Sequence, residues 1–198
     1  MISHTFRDGR GIVKFNHIIT EVGNWLAYTS ITNVYFSDRV TAIGKSAFVN
    51  CPFLALTSLP NSITYIGQNA FAFGKSLALT SLPDGITYIG YSAFGACDAL
   101  ALTSLPQSLT LIDGEAFSNC KSLAIQSLPH GVTSIEWRAF FNCIGIQRLT
   151  VPISTPPQLS SAAFDNTTFP IYVPESSFNA YQTASGWKFY ASRIRPYV

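Results

Sequence analysis

Val40-Thr41-Ala42-Ile43-Gly44-Lys45-Ser46-Ala47-Phe48-Val49-Asn50-Cys51-Pro52-Phe53-Leu54-Ala55-Leu56-Thr57-Ser58-Leu59-Pro60 is the stretch whose reading decides the fold, because it returns with edits at a step of 23 residues as far as Pro152. One phase of the repeat holds Phe48, Phe71, Phe94, Phe117 and Phe140; another holds Ile43, Ile66, Ile89, Ile112 and Ile135. Ala47, Ala70, Ala93, Ala116 and Ala139 mark a third, and the prolines recur at Pro60, Pro83, Pro106, Pro129 and Pro152. A unit of this length cannot bury its own apolar face, but stacked neighbours bury each other's, so the period predicts a repeat solenoid. Strands in register lie about 4.8 Å apart, which places identical side chains on top of one another. Each buried Phe then contributes about 1.5–3 kcal/mol.

Each unit reads as two short extended pieces and one short helical turn. Ile63-Thr64-Tyr65-Ile66 is rich in β-formers. Gly67 permits a turn, and Gln68 to Phe73 is expected as a short helix or 3₁₀ turn. Leu77 to Leu82 is the second extended piece, ended by Pro83, which cannot donate to a ladder. The last copy carries Leu149 where the others have Thr57, Thr80, Thr103 and Gln126, so its inward-facing positions stay open.

Working outward, the chain divides into residues 1–39, a degenerate first unit; 40–152, five clean repeats; and 153–198, a further degenerate repeat with a helical C-terminal cap. In the first part Ile31, Val34 and Phe36 look like strand residues, and Trp25 and Tyr28 close the core. In the last, Ala163-Phe164 and Ile171-Tyr172-Val173-Pro174 are remnants of one more unit. Glu175 to Ser185 then reads as a helix, with Phe178 and Tyr181 on one face and Gly186 as its stop.

Length, at 198 residues, fits one domain or one array. With 47% apolar and 11% charged residues the chain is no disordered polymer. A net charge of +2 gives no reason to expect nucleic acid or an anionic membrane as partner. No apolar run reaches the roughly 20 residues needed to span a bilayer. The start, Met1 to Arg10, lacks the apolar core of a signal peptide, so either the protein stays inside or a leader has been removed. Cys51, Cys97, Cys120 and Cys143 share one phase, with Gly74 at the missing step. That constant phase predicts a buried ladder of free thiols in place of a disulfide set or a zinc site.

Catalysis needs residues that break the repeat, and few do. His130 falls on the polar turn phase of Asn61, Asp84 and Gln107; Asp113 replaces the glycine of Gly44, Gly67 and Gly90, with Glu115 close by, and reads as a local turn residue. No phosphate loop, nucleophile elbow or metal signature is present, so neither catalytic residues nor a cofactor are expected. Binding is the alternative, written where copies differ. Three such sets are Lys45, Gln68, Tyr91, Gly114 and Trp137; Ala42, Tyr65, Tyr88, Leu111 and Ser134; and, on the second extended piece, Thr57, Thr80, Thr103, Gln126 and Arg148. Tyr, Trp and Arg are enriched at interface hot spots, which nominates Tyr65, Tyr88, Tyr91, Trp137, Arg138 and Arg148 as ligand-binding residues. A carbohydrate-binding module would use the same aromatics as a coplanar row, and a structural spacer would show a uniformly polar face.

The repeat resembles the leucine-rich repeat of bacterial surface proteins, the BspA-like type, through Ile66-Gly67, Ala70-Phe71, Leu77 and Leu82-Pro83 and their counterparts over residues 40–152. Ser3 to Phe15 looks like the lead-in before such arrays in gut Bacteroidetes proteins, and Ile171 to Pro174 with Tyr181, Ala184, Gly186-Trp187 and Ile194 looks like their closing segment. The resemblance implies a right-handed leucine-rich-repeat solenoid displayed outside the cell as an adhesion scaffold. Its partner would be a protein, such as a host extracellular-matrix or cell-surface protein, or a glycan. The family defines no catalytic residue to carry over.

Overall fold

The structure, a computed structural model, describes residues 2–7, 10–15 and 20–198, with side chains from Thr20 onward except that of Trp25. The closing role expected of Trp25 therefore lies outside the described side chains. Strands β1 (Ile2–Arg7) and β2 (Arg10–Phe15) form an antiparallel hairpin pairing Ile2 with Phe15.

The array itself is a stack of coils. Each contributes one two-residue strand: β3 (Glu21–Val22), β4 (Ala42–Ile43), β5 (Tyr65–Ile66), β6 (Tyr88–Ile89), β7 (Leu111–Ile112) and β8 (Ser134–Ile135). After β9 (Leu149–Thr150) comes β10 (Gln158–Leu159), which pairs with β8 and completes a parallel seven-stranded sheet in which each strand neighbours the one from the next coil. Val22, Ile43, Ile66, Ile89, Ile112, Ile135 and Leu159 face inward along it, and all are buried.

One coil shows why the sequence folds this way. The carbonyl of Pro60 accepts the Ile63 N–H at 3.1 Å, so proline opens the turn into the strand. After β5 the chain turns three times in succession, with Ala70 N–H donating to Gly67, Ala72 to Asn69 and Gly74 to Phe71. Between these, Asn69, Phe71 and Phe73 donate outward to Tyr91, Ala93 and Gly95 of the next coil at 2.7–2.8 Å. Alternate N–H groups thus serve the coil and the stack. A helix would claim every N–H for its own segment, so the short helical turn expected over Gln68–Phe73 is replaced by linked tight turns. Two residues of each coil adopt positive φ to make this possible: Ser46, Asn69, Ser92, Glu115, Arg138 and Ala162 in one column, Asn50, Phe73, Ala96, Asn119, Asn142 and Asn166 in the other.

The second extended piece carries a ladder bond to the neighbouring coil, such as Ala78 N–H to Leu56 O at 3.0 Å, and forms no strand before the last clean copy. Its inward residues, Leu77, Leu79 and Leu82, are spaced by two and then three, which interrupts strand alternation. The last copy restores alternation: Leu149 and Val151 are buried and Arg148 points out. A true strand results, and β9, β11 (Ile171–Pro174) and β12 (Ile194–Tyr197) make a second, parallel sheet. The register left open by Leu149 is settled by that pairing.

Aromatic stacking runs the length of the core. Phe48, Phe71, Phe94, Phe117, Phe140 and Phe164 lie 5.3–5.8 Å apart, with rings within 4–24° of parallel. Phe36 meets Phe48 edge-on at 6.0 Å and closes one end. The segment holding it is not the strand expected from Ile31, Val34 and Phe36; Ile31 is buried and the other two pack partly against the core. At the far end Phe169, Trp187 and Tyr190 cover Phe164. Helix α1 (Phe178–Thr183) follows a 3₁₀ turn at Glu175–Ser177 and is shorter than the helix expected over Glu175 to Ser185; Gly186, at φ +80°, turns the cap into a second 3₁₀ segment, Trp187–Arg193.

The cysteines are free and fully buried. Cys97, Cys120 and Cys143 donate Sγ–H to the Phe71, Phe94 and Phe117 carbonyls of the preceding coil at 2.9–3.1 Å. Burial pushes Cys97 and Cys143 up to about 12, and Cys120 well up.

Candidate functional site

Residues that vary between copies emerge on the sheet and on the turn after it. Tyr65 and Tyr88 face outward on adjacent strands and stack at 6.0 Å, 22° from parallel. Tyr88 leans along the stack. The Tyr88 hydroxyl donates to Asp113 Oδ2 at 2.6 Å, one coil further on. Asp113 Oδ1 also accepts the Gly114 N–H at 2.7 Å, so the turn role expected of it holds as well.

Tyr91 repeats the arrangement. Its hydroxyl donates to Glu115 Oε2 at 2.9 Å, and its ring rests on Gly114, where a Cβ would lie 3.2 Å from two ring carbons. Glycine at this step lets the aromatic lie down. Next along the stack, the Arg138 guanidinium sits 4.5 Å from the Trp137 ring centroid and 4.8 Å from that of Phe141. Glu136 accepts hydroxyls from both Ser134 and Ser160.

The structure therefore joins five of the six nominated residues, Tyr65, Tyr88, Tyr91, Trp137 and Arg138, into one strip. Arg148 lies apart beside the second sheet, 5.0 Å over the Tyr172 ring. Tyr65, Tyr91 and Trp137 are 43%, 36% and 40% exposed. Burial and the bond to Asp113 push the Tyr88 phenol up, and the bond to Glu115 does so for Tyr91. Both stay protonated as donors, which fixes the rings.

Sequence reasoning missed Asp113, Glu115 and Glu136 as parts of this strip. For Asp113 and Glu115 the signal is an offset of one coil plus two residues from Tyr88 and one coil plus one residue from Tyr91. A second charged column, with Asp98 between Lys75 at 2.7 Å and Lys121 at 3.3 Å, ties three coils together. The Lys75 bond holds the Asp98 carboxyl below its usual range. Among the described residues, no three His, Cys, Asp or Glu side chains converge as a metal site. None of the described helices is long and apolar enough to cross a membrane.

Coils of nearly constant length, one short parallel strand each and a column of buried Leu and Ile define a leucine-rich-repeat solenoid. Such proteins are typically scaffolds for protein interaction. The sequence pattern of the BspA type leucine rich repeat region matches this chain in six copies, over residues 11–55 and 42–170, and the chain belongs to that family. Among solved structures, a leucine rich repeat protein from T. pallidum (TpLRR) superposes with a TM-score of 0.62 at 24% identity, over 77% of this chain and 82% of that one. A leucine-rich repeat protein from Bacteroides ovatus does so with a TM-score of 0.54 at 21% identity, over 88% of this chain and 58% of that one. These likenesses show the fold. No protein of curated function matches the chain in sequence.

Proposed function

We propose that this protein is a non-catalytic scaffold that binds a partner protein through the strip from Tyr65 to Trp137, and that it works outside the cell as an adhesion module. The carrying observation is the way the variable aromatics are held. Tyr88 and Tyr91 are each anchored to a carboxylate of the next coil, and Arg138 lies against Trp137 and Phe141. Side chains fixed before contact lose little entropy on binding, so more of their contact energy becomes affinity. The residue types are those of hot spots. Tyr65 and Tyr88 stack on one another, which turns their edges outward. That favours a protein surface over a sugar platform, which needs exposed ring faces. The surface location rests on the BspA-type family.

The test is a binding screen of the chain against immobilised extracellular-matrix proteins and a glycan array. Capture of a protein partner, weakened when Tyr88 and Trp137 are replaced by Ala, supports the reading. Binding confined to glycans, or protein binding indifferent to both substitutions, overturns it.

A further inference from the structure

The stack has a direction, and its last coil leaves that direction unfinished. In every clean coil one N–H at the first positive-φ position donates to a main-chain carbonyl of the next: Ser46 to Gln68, Asn69 to Tyr91, Ser92 to Gly114 and Glu115 to Trp137, all at 2.8 Å, and Arg138 to Ser161 at 3.4 Å. Ala162 is next in this column, at φ +58°, and its N–H has no acceptor among the described residues. The cap serves the neighbouring donor instead. Phe164 N–H, whose equivalents also reach the next coil, donates to the Tyr190 hydroxyl at 3.2 Å, and that hydroxyl donates to Asp165 Oδ1 at 2.8 Å.

Beside Ala162 the structure holds a cavity of about 270 Å³ lined by Ser160, Ser161, Asp165, Gly186, Phe189 and Tyr190. Phe189 is 73% exposed, with Lys188 Nζ 5.6 Å from its ring centroid. Gly186 presents no side chain, and its positive φ keeps the chain against Leu159, where a Cβ would collide with the Leu159 carbonyl. The cavity therefore offers an unmatched main-chain donor, a carboxylate with one oxygen not engaged by Tyr190, and an apolar wall.

We propose that this cavity is a second binding site, and that it takes an extended peptide segment of a partner protein. A peptide carbonyl occupies the place a further coil would fill and accepts from Ala162 N–H. The peptide's own N–H donates to Asp165, and an apolar side chain lies on Phe189. Five preceding coils present this N–H to a main-chain carbonyl, which is why a peptide fits better than a sugar. The mode is backbone pairing at an open edge of a repeat. It stands independently of the aromatic strip.

The experiment is an NMR titration of the full ¹⁵N-labelled chain with blocked short peptides bearing Leu, Phe or Lys, and with methyl glycosides as a separate arm. Free protein should show rapid hydrogen exchange at Ala162 and slow exchange at Glu115 and Ser92. Apolar blocked peptides should shift the Ala162 amide saturably, and Phe189→Ala, at an exposed position, should weaken this at least tenfold. Trp137→Ala should leave it unchanged, which separates this site from the strip. An Ala162 amide already protected in the free protein, saturation by glycosides alone, no saturable shift with any peptide, or a titration unaltered in Phe189→Ala overturns the proposal.

Discussion

Replacing Phe94 by Ala tests the ladder where it is most enclosed. Phe94 is fully buried, with Phe71 and Phe117 stacked on its two faces at 5.5 Å each. Truncating a buried Phe costs about 3–5 kcal/mol, from lost transfer energy and from the cavity left behind. Two stacked contacts, each worth about 0.5–1.5 kcal/mol beyond their buried area, place this site at the upper end. The neighbouring coils cannot collapse into the space, because main-chain bonds such as Phe71 N–H to Ala93 O and Phe94 N–H to Ala116 O hold them at ladder spacing. We expect a loss of about 4–5 kcal/mol in urea unfolding followed by far-UV circular dichroism. Phe94→Ala with Phe117→Ala should be non-additive, because the two share a contact. A loss below about 1 kcal/mol, the ordinary effect of a substitution at random, would refute the stacked core.

Other expectations follow from the thiols and the cap. Burial raises Cys97, Cys120 and Cys143 above the ordinary thiol value of about 8.5, so the folded chain keeps protons that the unfolded chain releases. Their contribution is complete below pH 8.5 and is lost as pH rises above it, at about 1.4 kcal/mol per thiol per pH unit. The wild type should thus lose about 3 kcal/mol more than the triple Ala variant between pH 8.5 and 9.5, since each unfolded thiol is only half ionised at the start of that interval; an equal loss of stability in the two proteins, from urea titrations at the two pH values, would contradict the buried ladder. Gly186→Ala combines a positive φ with a collision at the Leu159 carbonyl. It should cost at least about 1–3 kcal/mol and expose Trp187 to fluorescence quenching, and an unchanged quenching profile would argue against the cap's docking. Asp98→Asn should cost under about 1 kcal/mol at neutral pH. Because the Asp98 pKa is depressed, that difference should be present above the unfolded carboxyl value near 3.9 and vanish as pH falls below it. A difference that persisted in acid would remove the Lys75–Asp98–Lys121 column from the account.

The Ile, Ala, Phe and Cys columns were legible because a stacked coil gives a constant phase a constant environment. The turn between them was not. Asn50, Asn69, Asn119, Asn142 and Asn166 hint at positive φ, which Asn tolerates, but Phe73, Ala96 and Arg138 hold the same conformation with no such tendency. What imposes it is the main-chain ladder to the next coil, a contact with no side-chain signature. Half of the strip was legible for the same reason: Tyr65 and Tyr88 share a phase and stack. Their carboxylates were not, since Asp113 and Glu115 sit at other phases and are reached only because the tyrosines lean forward. The open donor at Ala162 depends on the path of the cap, which carries no repeat to read.

The division of labour between constant and variable phases is tested most directly by the affinity of Trp137→Ala for the partner captured in the binding screen, with its melting temperature measured alongside. A hot-spot loss of about 2 kcal/mol corresponds to roughly 30-fold in Kd. The account predicts that loss at an essentially unchanged melting temperature, since Trp137 is 40% exposed and lies outside the buried core. An unchanged Kd would contradict the strip as the binding face, and a loss matched by a fall in melting temperature would return Trp137 to the fold.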